Sequence, residues 1–263
     1  MLAVRAYQIG VRLAGGFLPL LLHRRAKAGR EDPARIGERK ASNMAPRPAG
    51  NLVWVHAASV GETRSVLPLL VDFMAAQPDT HFLITTGTRT SATLVGQLTR
   101  AGFPHIDRLT HQYLPVDRAL WVKRFFDHWS PQLALFVESE LWPNLLLEMR
   151  RRNIPAVLVN GRLSEKSFKF WRWAKNSARA LFGCFDQLLA QDDITTQRWQ
   201  ELGLQNIVSA GNLKLDAPPL EVDASALAQM QAALQNRPVW VAASTHPGEE
   251  AMIGACHEAL LAI

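Results

Sequence analysis

Four short stretches hold side chains whose types and spacing could do chemistry together. His56-Ala-Ala-Ser59-Val-Gly61-Glu62 ends on a carboxylate able to take a proton from an attacking hydroxyl. The same Ser59–Glu62 spacing is that of a capping box, in which the serine oxygen accepts from the helix and the glutamate reaches back, so cap and base both stay open. His56 reads as a satisfied core histidine. In Glu138-Ser139-Glu140-Leu141-Trp142-Pro143-Asn144 two acids follow the very apolar run LALFV. Carboxylates just past a buried strand are costly unless paired, hydrogen-bonded or used. If the strand persists, alternation puts Glu138 and Glu140 on one side of the backbone, where one faces a cleft. Capping by Ser139 or Glu140 ahead of Pro143 is the equal alternative. Gly211-Asn212-Leu213-Lys214-Leu215-Asp216 offers a cation that neutralises a phosphate or is simply solvated. Ser244-Thr245-His246-Pro247-Gly248-Glu249-Glu250 offers hydroxyls, amides and a helix amino terminus, the usual anion site of a strand-to-helix turn, but lacks the Gly-Lys-Ser/Thr of a P-loop.

These turns must be held by strands. Short apolar, β-branched runs occur at 51–59, 81–88, 132–139, 156–162, 187–192 and 207–212, separated by helical patterns at 62–77, 119–129, 141–153, 164–182 and 194–203. Strand, crossover helix and strand in repetition predict an α/β fold with a right-handed doubly wound sheet. Ligands of such sheets bind beyond the carboxyl ends of the strands, where all four stretches fall. Residues 41–50 read as a polar linker and 216–223 as a second break, because paired prolines continue neither a helix nor a central strand. After it a helix, a strand at RPVWVAAS (237–244) and another helix are expected, so a second α/β unit begins at 224–263.

The 263 residues, 48% of them hydrophobic, exclude disordered and coiled-coil classes. Cys184 and Cys256 are too few for a disulfide framework or a zinc cluster. Residues 1–40 hold nine Lys/Arg against three Asp/Glu, and the remainder balances at 20 and 20, so the whole net charge of +6 sits at one end. A nucleic-acid protein would spread a basic stripe over its folded body, which argues against nucleic acid as a partner. The basic end is also apolar: YQIGVRLAGGFLPLLL (7–22) runs into His23, Arg24, Arg25, Lys27 and Arg30. It is too interrupted for a spanning helix of roughly 20 apolar residues. The charge follows the apolar run instead of preceding it, against a signal peptide. A helix lying on an anionic membrane surface fits, and a helix packed on the protein is the alternative.

In order, HAASVGET, FLITTGTRTSA, HQYLPVD, FVESELWPNLL, VLVNGRLSEKS, LAQ, GNLKLD and RPVWVAASTHPGEE resemble the 3-deoxy-D-manno-octulosonic acid (Kdo) transferases, across nearly the whole chain. The resemblance implies a GT-B glycosyltransferase of two Rossmann-like lobes that moves Kdo from CMP-Kdo to a lipid A precursor at the cytoplasmic face of the bacterial inner membrane. Residues 51–215 then form the complete acceptor lobe, 224–263 the start of the CMP-sugar lobe, and 1–40 the membrane-associating segment. Glu62 matches the proton-accepting glutamate of SVGE; Glu138 (ESELWP) and Lys214 (GNLKLD) match the transition-state stabilisers. Ser59, Gly61, Glu140, Asn160, Arg162, Ser244, Thr245 and His246 are the expected substrate contacts. Two turns depart from the family: its Thr-Pro-Thr-Gly reads Thr88-Arg89-Thr90-Ser91, and its Asn-Ala-Arg reads Asn160-Gly161-Arg162. The family's later Pro-Arg-His-Pro, Gly-Gly-Ser and Asn-Pro-x-Glu segments are not in this sequence, and catalysis is expected to need them.

With no DxD motif and no HExxH spacing, neither a metal nor another cofactor is expected. Residues 162–182 mix six Lys/Arg with Phe168, Phe170, Trp171, Trp173 and Phe182, fitting either a helix at the lipid interface or an amphipathic helix packed on the sheet. Two other readings stay open: a different GT-B enzyme acting on a membrane lipid intermediate, and a truncated module that binds membrane or lipid A without turnover.

Overall fold

The computed structural model describes residues 2–138, 140–215, 222–235 and 237–261, so Ser139 and Asp216 lie outside the described residues. The chain divides into two compact units, Met1–Pro218 and Pro219–Ile263.

In the first unit seven strands, β1 (Asn51–His56), β2 (Thr80–Thr86), β3 (Leu109–Tyr113), β4 (Leu133–Val137), β5 (Ala156–Gly161), β6 (Gln187–Ala190) and β7 (Ile207–Ser209), form one sheet in the order β3-β2-β1-β4-β5-β6-β7. Every neighbouring pair is parallel. Its helices are α1 (Leu2–Ala14), α2 (Leu18–Lys27), α3 (Ile36–Arg39), α4 (Val60–Ala76), α5 (Arg89–Arg100), α6 (Ala119–Trp129), α7 (Pro143–Arg151), α8 (Glu165–Trp173), α9 (Lys175–Phe182) and α10 (Asp193–Glu201). The second unit has α11 (Ala224–Leu234) and α12 (Glu249–Leu261).

The two-residue period of a strand explains the two cores. Leu52 and Trp54 of β1 point into a cluster with Phe125, Phe126 and Phe136, while Val53 and Val55 point into the opposite cluster with Val66, Leu70 and Phe82. Both faces are covered, which is why the strands read as continuous apolar runs. Trp54 packs its ring 5.0 Å from Phe125, 5.6 Å from Phe126 and 5.0 Å from Phe136. Phe125 is fully buried, so Phe125→Ala is expected to destabilise the chain by about 3–5 kcal/mol in urea unfolding. A loss below about 1 kcal/mol would contradict this packing.

Several expectations change. The expected strands form at β1, β2 and β4 to β7, but β3 and α5 had no counterpart in the sequence reading. The β3 sequence, LTHQY, is polar because it is an edge strand with only one neighbour. The pattern at 164–182 breaks at Ala174 (φ −100°, ψ 36°) into α8 and α9. The break lets Phe168 bury from one helix and Leu181 and Phe182 from the other. The strand expected at 237–244 is not formed. A strand exists by hydrogen bonding to a neighbour, and the described residues of the second unit supply none, leaving Val239, Trp240 and Val241 exposed.

The amino-terminal helices clamp onto the sheet by polar contacts. Arg35 lies 4.6 Å over the Tyr113 ring, and Tyr113 N donates to Glu38 at 2.7 Å. Arg39 donates to Leu114 O at 2.7 Å. From α1, Gln8 Nε2 donates to Asn144 Oδ1 at 3.1 Å, and the Tyr7 hydroxyl bonds Asp117. The outer side of these helices exposes Leu2, Ile9, Leu13, Phe17, Leu20 and Leu21. Among the described residues no helix is long and apolar enough to cross a membrane.

Candidate functional site

The strand order reverses direction between β1 and β4, and a crevice at such a point, beyond the carboxyl ends, is where doubly wound sheets bind ligands. A cleft of about 320 Å³ lies there, lined by Arg39, His56, Ser59, Glu62, Asp117, Glu140 and Trp142 among others.

Glu62 arrives from β1 through the first turn of α4. Ser59 caps the helix, its oxygen accepting from Glu62 N at 3.3 Å. In return Ser59 Oγ donates to Glu62 Oε1 at 2.7 Å and Ala58 N donates to Oε2 at 2.8 Å. The capping box therefore forms, and it fixes the carboxylate in the cleft wall instead of removing it from use. Glu62 is only 7% exposed. Burial pushes its carboxyl above the ordinary range, the Ser59 and Ala58 hydrogen bonds oppose that rise, and the charges of Glu140 and Glu138 add to it. A carboxylate held with raised basicity beside a cleft is suited to accepting a proton. Gly61, next to it in the turn, is exposed.

The two acids after β4 do not share a side. The strand ends at Val137 and Glu138 adopts φ +61°, a left-handed conformation that non-glycine residues seldom take. This turn sends the pair apart. Glu140 reaches the cleft, where the His56 ring beside it, and then Trp142 Nε1 donating at 2.8 Å, hold its carboxyl below the ordinary range. Glu138 instead meets Lys214, whose Nζ donates to Oε1 at 2.8 Å. Backbone strain of this kind concentrates at functional sites.

Lys214 sits in a 3-10 turn, Leu213–Leu215, just past β7. Asn160, at the end of β5 with φ +53°, anchors that turn by accepting from Leu213 N at 3.1 Å. So Glu138, Asn160 and Lys214, far apart in sequence, meet at the carboxyl edge. Glycine at position 161 is explained by packing: a Cβ there would overlap the Trp199 ring. Gly161→Ala is accordingly expected to destabilise the chain by about 1–3 kcal/mol in thermal or urea unfolding. Trp199→Leu added to it should recover part of the loss; no loss in the single variant would remove this explanation. Arg162 follows directly, exposed at the end of β5.

Ser244, Thr245 and His246 belong to the second unit. Thr245 Oγ1 donates to Glu250 Oε1 at 2.9 Å, and His246 N donates to Glu249 Oε2 at 2.9 Å. The donors of the expected anion site are thus engaged by carboxylates of α12 itself.

Sequence reasoning missed Arg39 and Asp117, and it read His56 as a core histidine, which it is, without placing it at the cleft. His56 is fully buried, its Nδ1 within 3.1 Å of Thr85 O, while Nε2 has no hydrogen-bond partner and faces Glu140 Oε2 at 3.9 Å, longer than a hydrogen bond but close enough for an electrostatic contact. Asp117 is a buried cap of α7, accepting from Asn144 N at 2.9 Å and Leu145 N at 2.8 Å. Its place in HQYLPVD was the only available signal. Among the described residues no group of three or more His, Cys, Asp or Glu could hold a metal ion.

Fold and cleft together define a doubly wound α/β protein with a carboxylate-lined cleft at its topological switch point. The sequence profile of the 3-deoxy-D-manno-octulosonic-acid transferases (kdotransferases) matches residues 33–217. The chain belongs to that family. It is 37% identical over 205 residues to the 3-deoxy-D-manno-octulosonic acid transferase of Rickettsia felis, covering 78% of this chain and 43% of the relative. To that of Haemophilus influenzae it is 35% identical over 223 residues, covering 82% and 50%. The chain thus spans about half the length of the curated relatives it matches. The solved UDP-GlcNAc 2-epimerase of Neisseria meningitidis, bound to UDP-GlcNAc, is a remote likeness at a TM-score of 0.46 and 11% identity, covering 72% of this chain and 54% of its own.

Proposed function

We propose that this chain is the acceptor lobe, with the beginning of the donor lobe, of a GT-B glycosyltransferase that moves Kdo from CMP-Kdo to a lipid A precursor. The observation that carries the reading is Glu62, the family's proton acceptor by motif, set with raised basicity in the wall of the switch-point cleft. In the proposed reaction a sugar hydroxyl of the acceptor attacks the anomeric carbon of Kdo and passes its proton to Glu62, while the bond from that carbon to the CMP phosphate oxygen breaks. The Kdo ring gains positive charge as CMP departs. Glu138 offsets that charge and Lys214 offsets the phosphate, which requires their mutual contact to open as the donor enters. The monoanionic phosphate of a CMP-sugar needs one cation, so the scheme uses no metal. Ser59, Gly61, Glu140, Asn160 and Arg162 are proposed as substrate contacts from the first unit, and Ser244, Thr245 and His246 from the second.

The proposed site of action is the cytoplasmic face of the inner membrane. The exposed apolar residues of α1 and α2, together with Arg24, Lys27 and Arg30, support docking on anionic lipid, and Phe170 and Trp173 of α8 add exposed rings. Leu13→Gln combined with Phe17→Gln alters only side chains that are 76% and 73% exposed. The pair is expected to weaken flotation with phosphatidylglycerol vesicles by about 10-fold or more, from lost apolar insertion. Unchanged flotation would reject this surface.

Transfer itself is tested with CMP-Kdo and tetra-acylated lipid A precursor. The 263-residue chain is compared with one extended by the carboxyl-terminal lobe of a full-length relative, the relative serving as control. Product from the extended chain alone is expected. Product from the short chain would overturn the need for the second lobe, and an inactive extended chain beside an active control would overturn the transfer reading.

A further inference from the structure

A second recess, of about 500 Å³, opens where the first turns of α4 and α5 come together. Two guanidinium side chains, Arg64 and Arg89, line it with the neutral hydrogen-bonding groups of Thr90, Thr93 and Gln97, and no carboxylate takes part in its wall. The Arg64 side chain is exposed and makes no hydrogen bond or ion pair with any described residue. Arg89 Nη1 donates to Gly29 O at 2.7 Å, which holds the guanidinium at the rim with its other donors uncommitted. Two cations facing one recess repel each other unless an anion lies between them. The planar donor fork of arginine matches the oxygens of a phosphate better than a point charge does.

The recess adjoins the Glu62 cleft. Ser59 and Thr88 line the cleft, while their chain neighbours Val60 and Arg89 line the recess. A ligand lying across the turn from Gly87 to Thr90 can therefore present a hydroxyl to Glu62 and an anionic substituent to the two arginines.

We propose that Arg64 and Arg89 form an anion subsite for a phosphate monoester carried by the carbohydrate acceptor whose hydroxyl meets Glu62. The acceptor's identity rests on the transferase reading, whereas the phosphate chemistry does not. Gln97 supplies an amide donor for a remaining phosphate oxygen, while Thr93 Oγ1, whose proton goes to Arg89 O at 3.1 Å, and Thr90 Oγ1, bonded to Thr88 Oγ1 at 3.1 Å, can accept from neighbouring sugar hydroxyls.

The test is calorimetric titration of the 263-residue chain with glucosamine 1-phosphate, glucosamine and inorganic phosphate, alongside binding to phosphatidylglycerol vesicles. Glucosamine 1-phosphate is expected to bind about 10-fold or more tightly than either fragment. Arg64→Gln and Arg89→Gln should each lose about 10-fold to 100-fold, the range of one charge-assisted hydrogen bond. Arg89→Lys, which keeps the charge and loses the fork, should fall between. Both side chains are exposed, so the variants are expected to keep the parent melting temperature and circular dichroism. Equal binding of glucosamine with and without phosphate, or unchanged binding in both glutamine variants, overturns the subsite. Inorganic phosphate binding as tightly as the sugar phosphate overturns the carbohydrate part, and loss of vesicle binding alone reassigns the arginines to lipid headgroups and overturns it as well. An inactive extended transferase that still binds glucosamine 1-phosphate through both arginines would keep the subsite and reject only the transfer reading.

Discussion

Glu62→Gln, placed in a transferase carrying both lobes, is expected to lower Kdo turnover by about 10²-fold to 10⁴-fold, the usual worth of a positioned general base. Its fold should survive, because glutamine can still accept from Ala58 N with its oxygen and donate to Ser59 Oγ with its amide, keeping the capping box. Stability should hold or rise at neutral pH. A carboxyl whose folded pKa is raised stabilises the fold below its unfolded pKa, and that contribution is lost as pH rises through the folded value. At neutral pH the buried ion is thus a cost that the neutral amide removes. The wild-type kcat/KM profile should accordingly fall on its acid side at a pH above the ordinary glutamate range, where Glu62 takes up its proton. Glu140→Gln deletes one of the charges that raise Glu62, so its acid limb should move to lower pH. Full turnover in the Glu62→Gln enzyme would falsify the assignment and leave Glu62 as a cap alone.

The second large effect is expected at Lys214. Its ammonium contacts Glu138 at 2.8 Å with side-chain exposures of 50% and 23%, so as a surface pair it contributes only about 0–1 kcal/mol to stability. Lys214→Met should therefore leave urea unfolding almost unchanged. If the lysine stabilises the departing phosphate, the same variant should lose about 10²-fold to 10³-fold in kcat, as does removal of one preorganised donor to developing negative charge. Single-turnover rates with CMP-Kdo separate this from a binding defect. Equal losses in stability and rate, or a rate within about threefold of the parent, would make the contact structural. Glu138→Gln should show the same separation, because its positive φ belongs to the turn and not to the charge.

Much of the fold follows from local pattern. Apolar runs such as LVWV and LALFV exclude water from both faces of a sheet, and the spacing Ser59–Glu62 is a complete instruction for a helix start. Chain order with right-handed crossovers then fixes a doubly wound sheet and puts the four chemical turns at strand ends. Pattern fails where neighbours decide. LTHQY becomes β3 because β2 offers it a free edge, whereas the far more β-like VWVA stays unpaired where the described residues of its unit offer none.

Which side chains stand at the carboxyl edge follows from local pattern alone, because a strand's end and a helix's cap are written within a few residues. Their partners come from the assembled sheet. Glu138 turns toward Lys214, 76 positions away, and Glu140 toward His56, because a single left-handed residue after β4 ends the alternation on which the sequence argument relied. Charge pairing and burial depend on contacts across the sheet, so neither the raised basicity of Glu62 nor the meeting of Arg64 and Arg89 at one recess is a property of any local string of residues.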